Sequence, residues 1–212
     1  MKKCAKGFLI AIEGIDGSGK TTLSKIIERK LADTGMDVFM LPSGGVNSYE
    51  IEAQLRAIVF AENNGITQNT ETLIYYASLA QKVGQYIVPA LCKNKVVIVD
   101  RFILSTYIFS HYMLEQEKEL TKNILNFASQ GIIPDFTFLC DLEETIAYSR
   151  LISRGKELSR REKQGVSLMK VMREGYLKEL ANTSKCYKII RTDRVPLTRM
   201  EECINDLEQY FK

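Results

Sequence analysis

At 212 residues, with 45% apolar and 26% charged side chains, the chain has the make-up of a globular protein long enough to bury one substantial core. Its 29 Lys and Arg against 26 Asp and Glu leave a net charge of +3, too mild to argue alone for nucleic acid or an anionic membrane. Disordered and fibrous classes are excluded, and a single domain over 1–212 is expected.

The N-terminus, Met1-Lys2-Lys3, leads into a short apolar run that Glu13 closes before a signal-peptide core develops. No uncharged apolar stretch approaches the roughly 18–20 residues of a membrane span, so a soluble, cytoplasmic protein without a membrane partner is expected. Cys4, Cys92, Cys140, Cys186 and Cys203 stand at long irregular spacings, with His111 the one histidine, which speaks against a zinc site or a disulfide framework. Cys92, Cys140 and Cys203 lie in apolar segments and read as reduced core residues, and His111 as a surface or packing residue.

In chain order, β-branched runs at Phe8 to Ile12, Val38 to Leu41, Val96 to Val99, Phe136 to Leu139 and Tyr187 to Ile190 predict five strands. A helix follows the first, with Leu23, Ile26, Ile27 and Leu31 on one face and Gly35 as its stop. Near-continuous apolar strands alternating with helices predict an α/β doubly wound fold, with a five-stranded parallel sheet covered by helices on both faces.

Between the first strand and first helix, Gly14-Ile15-Asp16-Gly17-Ser18-Gly19-Lys20-Thr21 fits G-x-x-x-x-G-K-[ST]. Glycines there let successive N–H groups converge on phosphate oxygens at a helix N-terminus; Lys20 would neutralise the transferred phosphoryl and the Thr21 hydroxyl would ligate Mg²⁺. The third strand ends in Asp100-Arg101, at the sheet edge where open α/β folds bind ligands. Asp100 suits Mg²⁺ or its water, and Arg101 a bidentate contact to a second phosphate.

These motifs, with Leu55-Arg56, Pro89-Ala90-Leu91, Leu104-Ser105-Thr106, Pro134-Asp135-Phe136-Thr137, Glu157-Leu158 with Arg160 and Glu162, and Tyr176-Leu177, form a collinear series that resembles the thymidylate kinase family of P-loop nucleoside monophosphate kinases. The resemblance implies ATP as donor, held by the loop through Thr22 with Arg154 nearby, and a nucleoside monophosphate as acceptor. It implies that Asp16 lies near the acceptor sugar and the transfer site, that Arg56 and Arg101 clamp the acceptor phosphate, and that Ser105 and Thr106 border it. Tyr75 would stack on the base, and Phe109 stands where the family has a tyrosine against the deoxyribose. The basic stretch Arg154 to Gln164 aligns with the lid. With Gly17 in the loop position that some members fill with arginine, the lid should supply the catalytic cation from Arg154, Arg160 or Arg161, of which Arg160 matches the family's lid arginine; the alternative for each is a solvated charged face. The resemblance further implies a homodimer, for which an apolar helix face such as Leu73 to Leu91 is a candidate, and no nucleic-acid partner.

Departures from the family concern the acceptor. Leu41-Pro42-Ser43-Gly44-Gly45 lacks the Arg-Glu of the family's Arg-Glu-Pro-Gly-Gly, Leu79 stands where many members carry a base-reading arginine, and Ile108-Phe109-Ser110 replaces Ala-Tyr-Gln. The leading expectation is phosphorylation of dTMP to dTDP. The alternatives are a kinase for another pyrimidine, deoxynucleotide or specialised nucleotide-like substrate, a degenerate nucleotide-binding module, and a nucleoside kinase, which would need a carboxylate base near a sugar hydroxyl. Lys20→Ala and Arg101→Ala are expected to abolish transfer with the fold intact.

Overall fold

The computed structural model describes residues 7–43, 51–61, 65–155, 157–193 and 207. Every expected strand forms, as β1 (Phe8–Glu13), β2 (Val38–Leu41), β3 (Val96–Asp100), β4 (Phe136–Asp141) and β5 (Cys186–Arg191). All pairings are parallel, in the order β2-β3-β1-β4-β5. Three strands run on into an acidic residue, because the ladder continues through Ile12 opposite Asp100, Glu13 opposite Leu139 and Asp141 opposite Arg191. The sheet's C-terminal edge therefore carries carboxylates above an apolar centre.

Strand alternation divides the interior. Leu9, Ala11, Val97 and Val99 face one helical layer, and Ile10, Ile12, Val96 and Ile98 face the other. The second layer holds α1 (Lys20–Asp33), whose Leu23, Ile27 and Leu31 are buried. Its end is closed as expected: Gly35, at φ 82°, donates its N–H to the Ala32 carbonyl, and Met36 donates to that of Leu31.

The first layer holds α3 (Gln68–Lys82) and α4 (Val88–Cys92). The apolar run to Leu91 is not one regular helix, since a π-helical turn, Val83–Ile87, joins the two. That wider turn sits just before Pro89, which has no N–H to give an α-helical ladder. A second π-helical turn, Ile108–Met113, extends α5 (Ile103–Tyr107). Around these lie α2 (Ile51–Phe60), α6 (Lys118–Ala128), α7 (Glu144–Ile152) and α8 (Gly165–Thr183). Ile15, Leu104, Leu139, Met172 and Tyr176 make a third cluster, packing α5, α7 and α8 over the sheet's C-terminal end.

Cys140 is buried, Cys92 and Cys186 are half-buried, and no disulfide joins these described cysteines; Cys4 and Cys203 lie outside the described residues. His111 packs against Tyr107 and Tyr112, and its Nδ1 lies 2.7 Å from the Gln116 carbonyl. No described helix is long and apolar enough to cross a membrane.

Candidate active site

Because β1 and β3 are neighbours, the loop after one and the Asp100-Arg101 turn after the other meet at the sheet's C-terminal edge. The loop folds tightly, with the Ser18 N–H donating to the Ile15 carbonyl, and Gly19 in the left-handed region caps α1. The first turn of α1 contains no acidic residue to compete for its positive end. Lys20 is buried and spans the loop, Nζ donating to the Ile15 carbonyl at 2.7 Å. Burial, and then the repulsion of Arg101, push its pKa down to about 8, against the pull of Asp16 and Asp100. Thr22 is exposed, and so is Arg154 in the turn after α7.

Gly17 has a steric reason to be glycine. Its φ is 79°, and a Cβ there would lie 2.4 Å from the Ala147 carbonyl oxygen of α7. A loop arginine, as some relatives carry, has no place here unless α7 moves. Gly17→Arg is expected to lower stability by about 1–2 kcal/mol or more, since a left-handed non-glycine residue alone costs that much. Urea melts measure this, and wild-type stability in the variant would contradict the clash.

Thr21 donates its hydroxyl to Asp100 Oδ2 at 3.1 Å, while Asp100 Oδ1 is buried with no hydrogen-bond partner. An orphan carboxylate oxygen beside a hydroxyl is a donor set that fits one face of a hydrated Mg²⁺, which takes one or two protein ligands plus substrate phosphates. Among the described residues no group of three or more His, Cys, Asp or Glu could hold a metal independently of substrate.

Arg101 is the node of the site. It takes a left-handed backbone, φ 67°, which its N–H donating to the Ile12 carbonyl helps to hold. Its Nη1 donates to the Gly14 carbonyl at 2.8 Å, to Tyr176 Oη at 2.9 Å and to Ser105 Oγ at 3.3 Å, and Nη2 pairs with Asp16. Burial works to lower its pKa, but Asp16 and the other acids around it win, so it stays charged at every accessible pH. Desolvation likewise pushes Asp16 up, yet Arg101, Lys20 and Arg154 hold its carboxyl below the usual range.

Behind this node stands Glu13, fully buried and absent from the sequence-based candidates. It accepts from the Phe102 N–H at 2.9 Å and the Ser105 N–H at 3.3 Å, and takes the Ser105 hydroxyl as well. Burial raises its pKa above the ordinary carboxylate value despite those bonds. Ser105, expected beside the substrate, is thus a buried internal link. Thr106 turns its hydroxyl back to the Phe102 carbonyl. Tyr176 was legible only as part of a matching motif; here it secures Arg101.

Arg56 lies 5.1 Å from the centre of the Phe60 ring, and burial and Arg101 depress its pKa while Glu52 supports it. Lys82 and Glu52, both buried and both missed by the sequence reading, complete this cationic corner; their positions inside amphipathic helices gave no signal. Tyr75 and Phe109 do meet, ring centres 5.4 Å apart, and Phe109 lies 5.3 Å from the Arg101 guanidinium. The two rings border a cavity of ≈50 Å³ that runs to the lid residues Ser159 and Arg161.

Two expectations change. Leu79 does not line that cavity: it is buried in the core with Tyr76, Val83 and Phe102, on the face of α3 turned to the sheet. Arg160, expected to serve the transfer site, is turned here to α3, where its Nη2 is held by Glu71 Oε2 at 2.8 Å, and Arg161 pairs with the same carboxylate. Gly44 and Gly45 of the altered acceptor loop, and Lys156 of the lid, lie outside the described residues.

A family profile for thymidylate kinase matches residues 12–202. The chain is 34% identical over 207 residues to the thymidylate kinase of Caldanaerobacter subterraneus subsp. tengcongensis, covering 98% of both proteins. It is 36% identical over 186 residues to that of Thermoanaerobacter sp. (strain X514), covering 87% of this chain and 89% of the relative. A further 36% identity over 184 residues links it to the thymidylate kinase of Pelodictyon phaeoclathratiforme. With a P-loop, an Asp-Arg strand end and a lid set around one cleft, and with this extent of likeness, the chain belongs to the thymidylate kinase family.

Proposed function

We infer that this protein transfers the γ-phosphoryl group of ATP to dTMP, giving ADP and dTDP. The observation that carries the reading is the junction of Lys20 and Thr21 with Arg101 and Asp16, beside a cleft bordered by two aromatic rings. Donor and acceptor sites share one wall, as in-line transfer between two phosphates requires.

An oxygen of the acceptor phosphate attacks the γ-phosphorus as the bond to the ADP oxygen breaks. That oxygen is anionic near neutral pH, so no general base is needed, and charge neutralisation carries the rate. Lys20 follows the moving charge from the donor side. Arg56 and Arg101 repel each other within the protein, and a dianionic acceptor relieves that repulsion. Asp16, itself held by Arg101, keeps the guanidinium aimed. Thr21 and Asp100 would hold Mg²⁺, which when bound would supply further positive charge to neutralise the donor phosphates.

The cavity beside Tyr75, at ≈50 Å³, is far below the roughly 300 Å³ of ordinary ligand pockets, so the lid withdraws for entry and closes again to exclude water. The lid carries its own stiffening: Ser159 and Glu162 bond reciprocally, N–H to carboxylate at 2.8 Å and N–H to hydroxyl at 3.4 Å, bracketing Arg160 and Arg161. We place the whole chain in one such domain, acting with a second copy. Leu73 on α3 and Leu120 and Phe127 on α6 remain exposed and offer apolar surface for that contact.

The test incubates the protein with ATP and Mg²⁺ against ribo- and deoxynucleoside monophosphates and the matching nucleosides, with light scattering on the same preparation. Expected results are preferential dTDP formation, loss of activity with chelator, and a dimer mass. ATP turnover only with nucleosides, or with no acceptor at all, overturns the reading.

A further inference from the structure

The lid arginines pose a physical question: why does a fully buried carboxylate on α3 hold both? Glu71 is 1% exposed and accepts from Arg161 Nε at 3.0 Å, from Arg160 Nη2 at 2.8 Å and from both-edge contacts of Arg161 that close the fork. A buried acid with two cations is over-supplied, so one guanidinium can serve elsewhere without leaving the carboxylate bare. Arg161 is 18% exposed and lines the cavity beside Tyr75 and Phe109. Its Nε and Nη2 are engaged by Glu71, while Nη1 has no partner among the described residues.

The remaining lining is mainly apolar, with Met113, Leu168, Met169 and Met172 among it, and Arg161 is its one cation. Contacts order the cavity from end to end. Arg101 lies 5.3 Å from Phe109, Phe109 lies 5.4 Å from Tyr75, the Tyr75 hydroxyl donates to Glu71 at 3.4 Å, and Glu71 holds Arg161. A nucleotide with its phosphate at Arg101, its sugar against Phe109 and its base on Tyr75 presents to Arg161 the base edge opposite the glycosidic bond. In a pyrimidine that edge is position 4.

We infer that Arg161, aimed by Glu71, reads the acceptor base by donating from Nη1 to a carbonyl at pyrimidine position 4. The inference rests on the dTMP reading above and names the group that selects the base. Thymine offers an acceptor there; cytosine offers an amino group, which would face a guanidinium donor to donor. Leu79 plays no part, being in the core. The device ties selectivity to lid position, because the reader is on the lid and its brace is on α3. Glu71 is a positioning residue, acting through Arg161.

The experiment measures Kd for dTMP and dCMP by calorimetry, and KM and kcat for both, in wild type, Arg161→Met, Arg161→Lys and Glu71→Gln, with melting curves to establish folding. Wild type is expected to favour dTMP by tenfold or more in Kd. Arg161→Met should weaken dTMP about tenfold with little change for dCMP, so that the ratio collapses, while KM for dTMP rises more than kcat falls. Glu71→Gln should shift the ratio in the same direction, and Arg161→Lys should recover part of it. An unchanged dTMP:dCMP ratio in Arg161→Met, or an equal loss for both acceptors through kcat alone, overturns the inference. If wild type binds dTMP through Arg161 yet transfers nothing to it, the proposed function fails and the base reader stands. If Arg161→Met transfers with the wild-type preference, the reverse holds.

Discussion

Arg101→Met is expected to remove phosphotransfer and a large share of stability together. Its Nη1 bonds three groups from three elements, and its Nη2 pairs with Asp16. Methionine would leave Asp16 without its partner and the Gly14 carbonyl and Tyr176 hydroxyl without their donor. Asp16 is 45% exposed and water can replace much of its pairing, but the Gly14 carbonyl and Tyr176 hydroxyl are buried, and each buried polar group left unsatisfied costs about 1–3 kcal/mol. Loss of one cation at a phosphoryl-transfer site lowers kcat by about 10²–10³ or more. The expectation from sequence, that the fold would be untouched, took Arg101 for a ligand contact alone. Urea melts beside turnover decide it: a variant that melts with wild type and loses only activity would return Arg101 to a purely ligand-directed role. Arg101→Lys should restore little, because an ammonium cannot span this fork of partners.

Lys20→Met is expected to reduce kcat by about 10²–10³ while leaving the fold at least as stable. The stability part follows from sign. The folded pKa, about 8, lies below the ordinary 10.5, so carrying the charge in the free protein is unfavourable. That penalty is fully present below pH 8 and fades as pH rises towards 10.5. Removing the ammonium removes the penalty. The same shift predicts proton uptake on binding. Phosphates favour the ammonium form, so near pH 8 ATP should draw in about half a proton, and its affinity should weaken as pH rises through that value. Calorimetry in buffers of different ionisation enthalpy reads this uptake, which Lys20→Met should lose. Equal uptake in wild type and variant would move the titration to another group.

Much of the fold was legible because it rests on local rules. Apolar runs marked the five strands to within a residue or two, and Gly35 marked the stop of α1. The donor side was legible too, since Gly14 to Thr21 form one continuous motif on a local backbone path, although distant neighbours such as Ala147 beside Gly17 also constrain it. The acceptor side was harder. Glu13 looked like a strand's polar end, yet it organises the Asp100-Arg101 turn from 89 residues away. Glu52 and Lys82 each occupy an ordinary helix position, and only packing shows that they are buried together. Leu79 was misplaced for a related reason: helical spacing puts it one turn from Tyr75, but Tyr75 and Leu79 diverge to cavity and core. Arg160 and Arg161 were read as solvated or catalytic cations because their brace, Glu71, lies some 90 residues upstream.

Among the described strands, the earliest in the chain is also the one at the centre. β1 has β3 on one side and β4 on the other, and its near partner, paired through Ile12 and Asp100, is synthesised almost 90 residues later. At about 5–20 residues per second, the ribosome leaves FLIAIE without either neighbour for on the order of ten seconds. During that interval an apolar ribbon with two open edges is a template for foreign strands. The chain therefore completes its sheet late, and a truncation that removes β4 leaves the nucleotide loop attached to a strand with an unpaired edge.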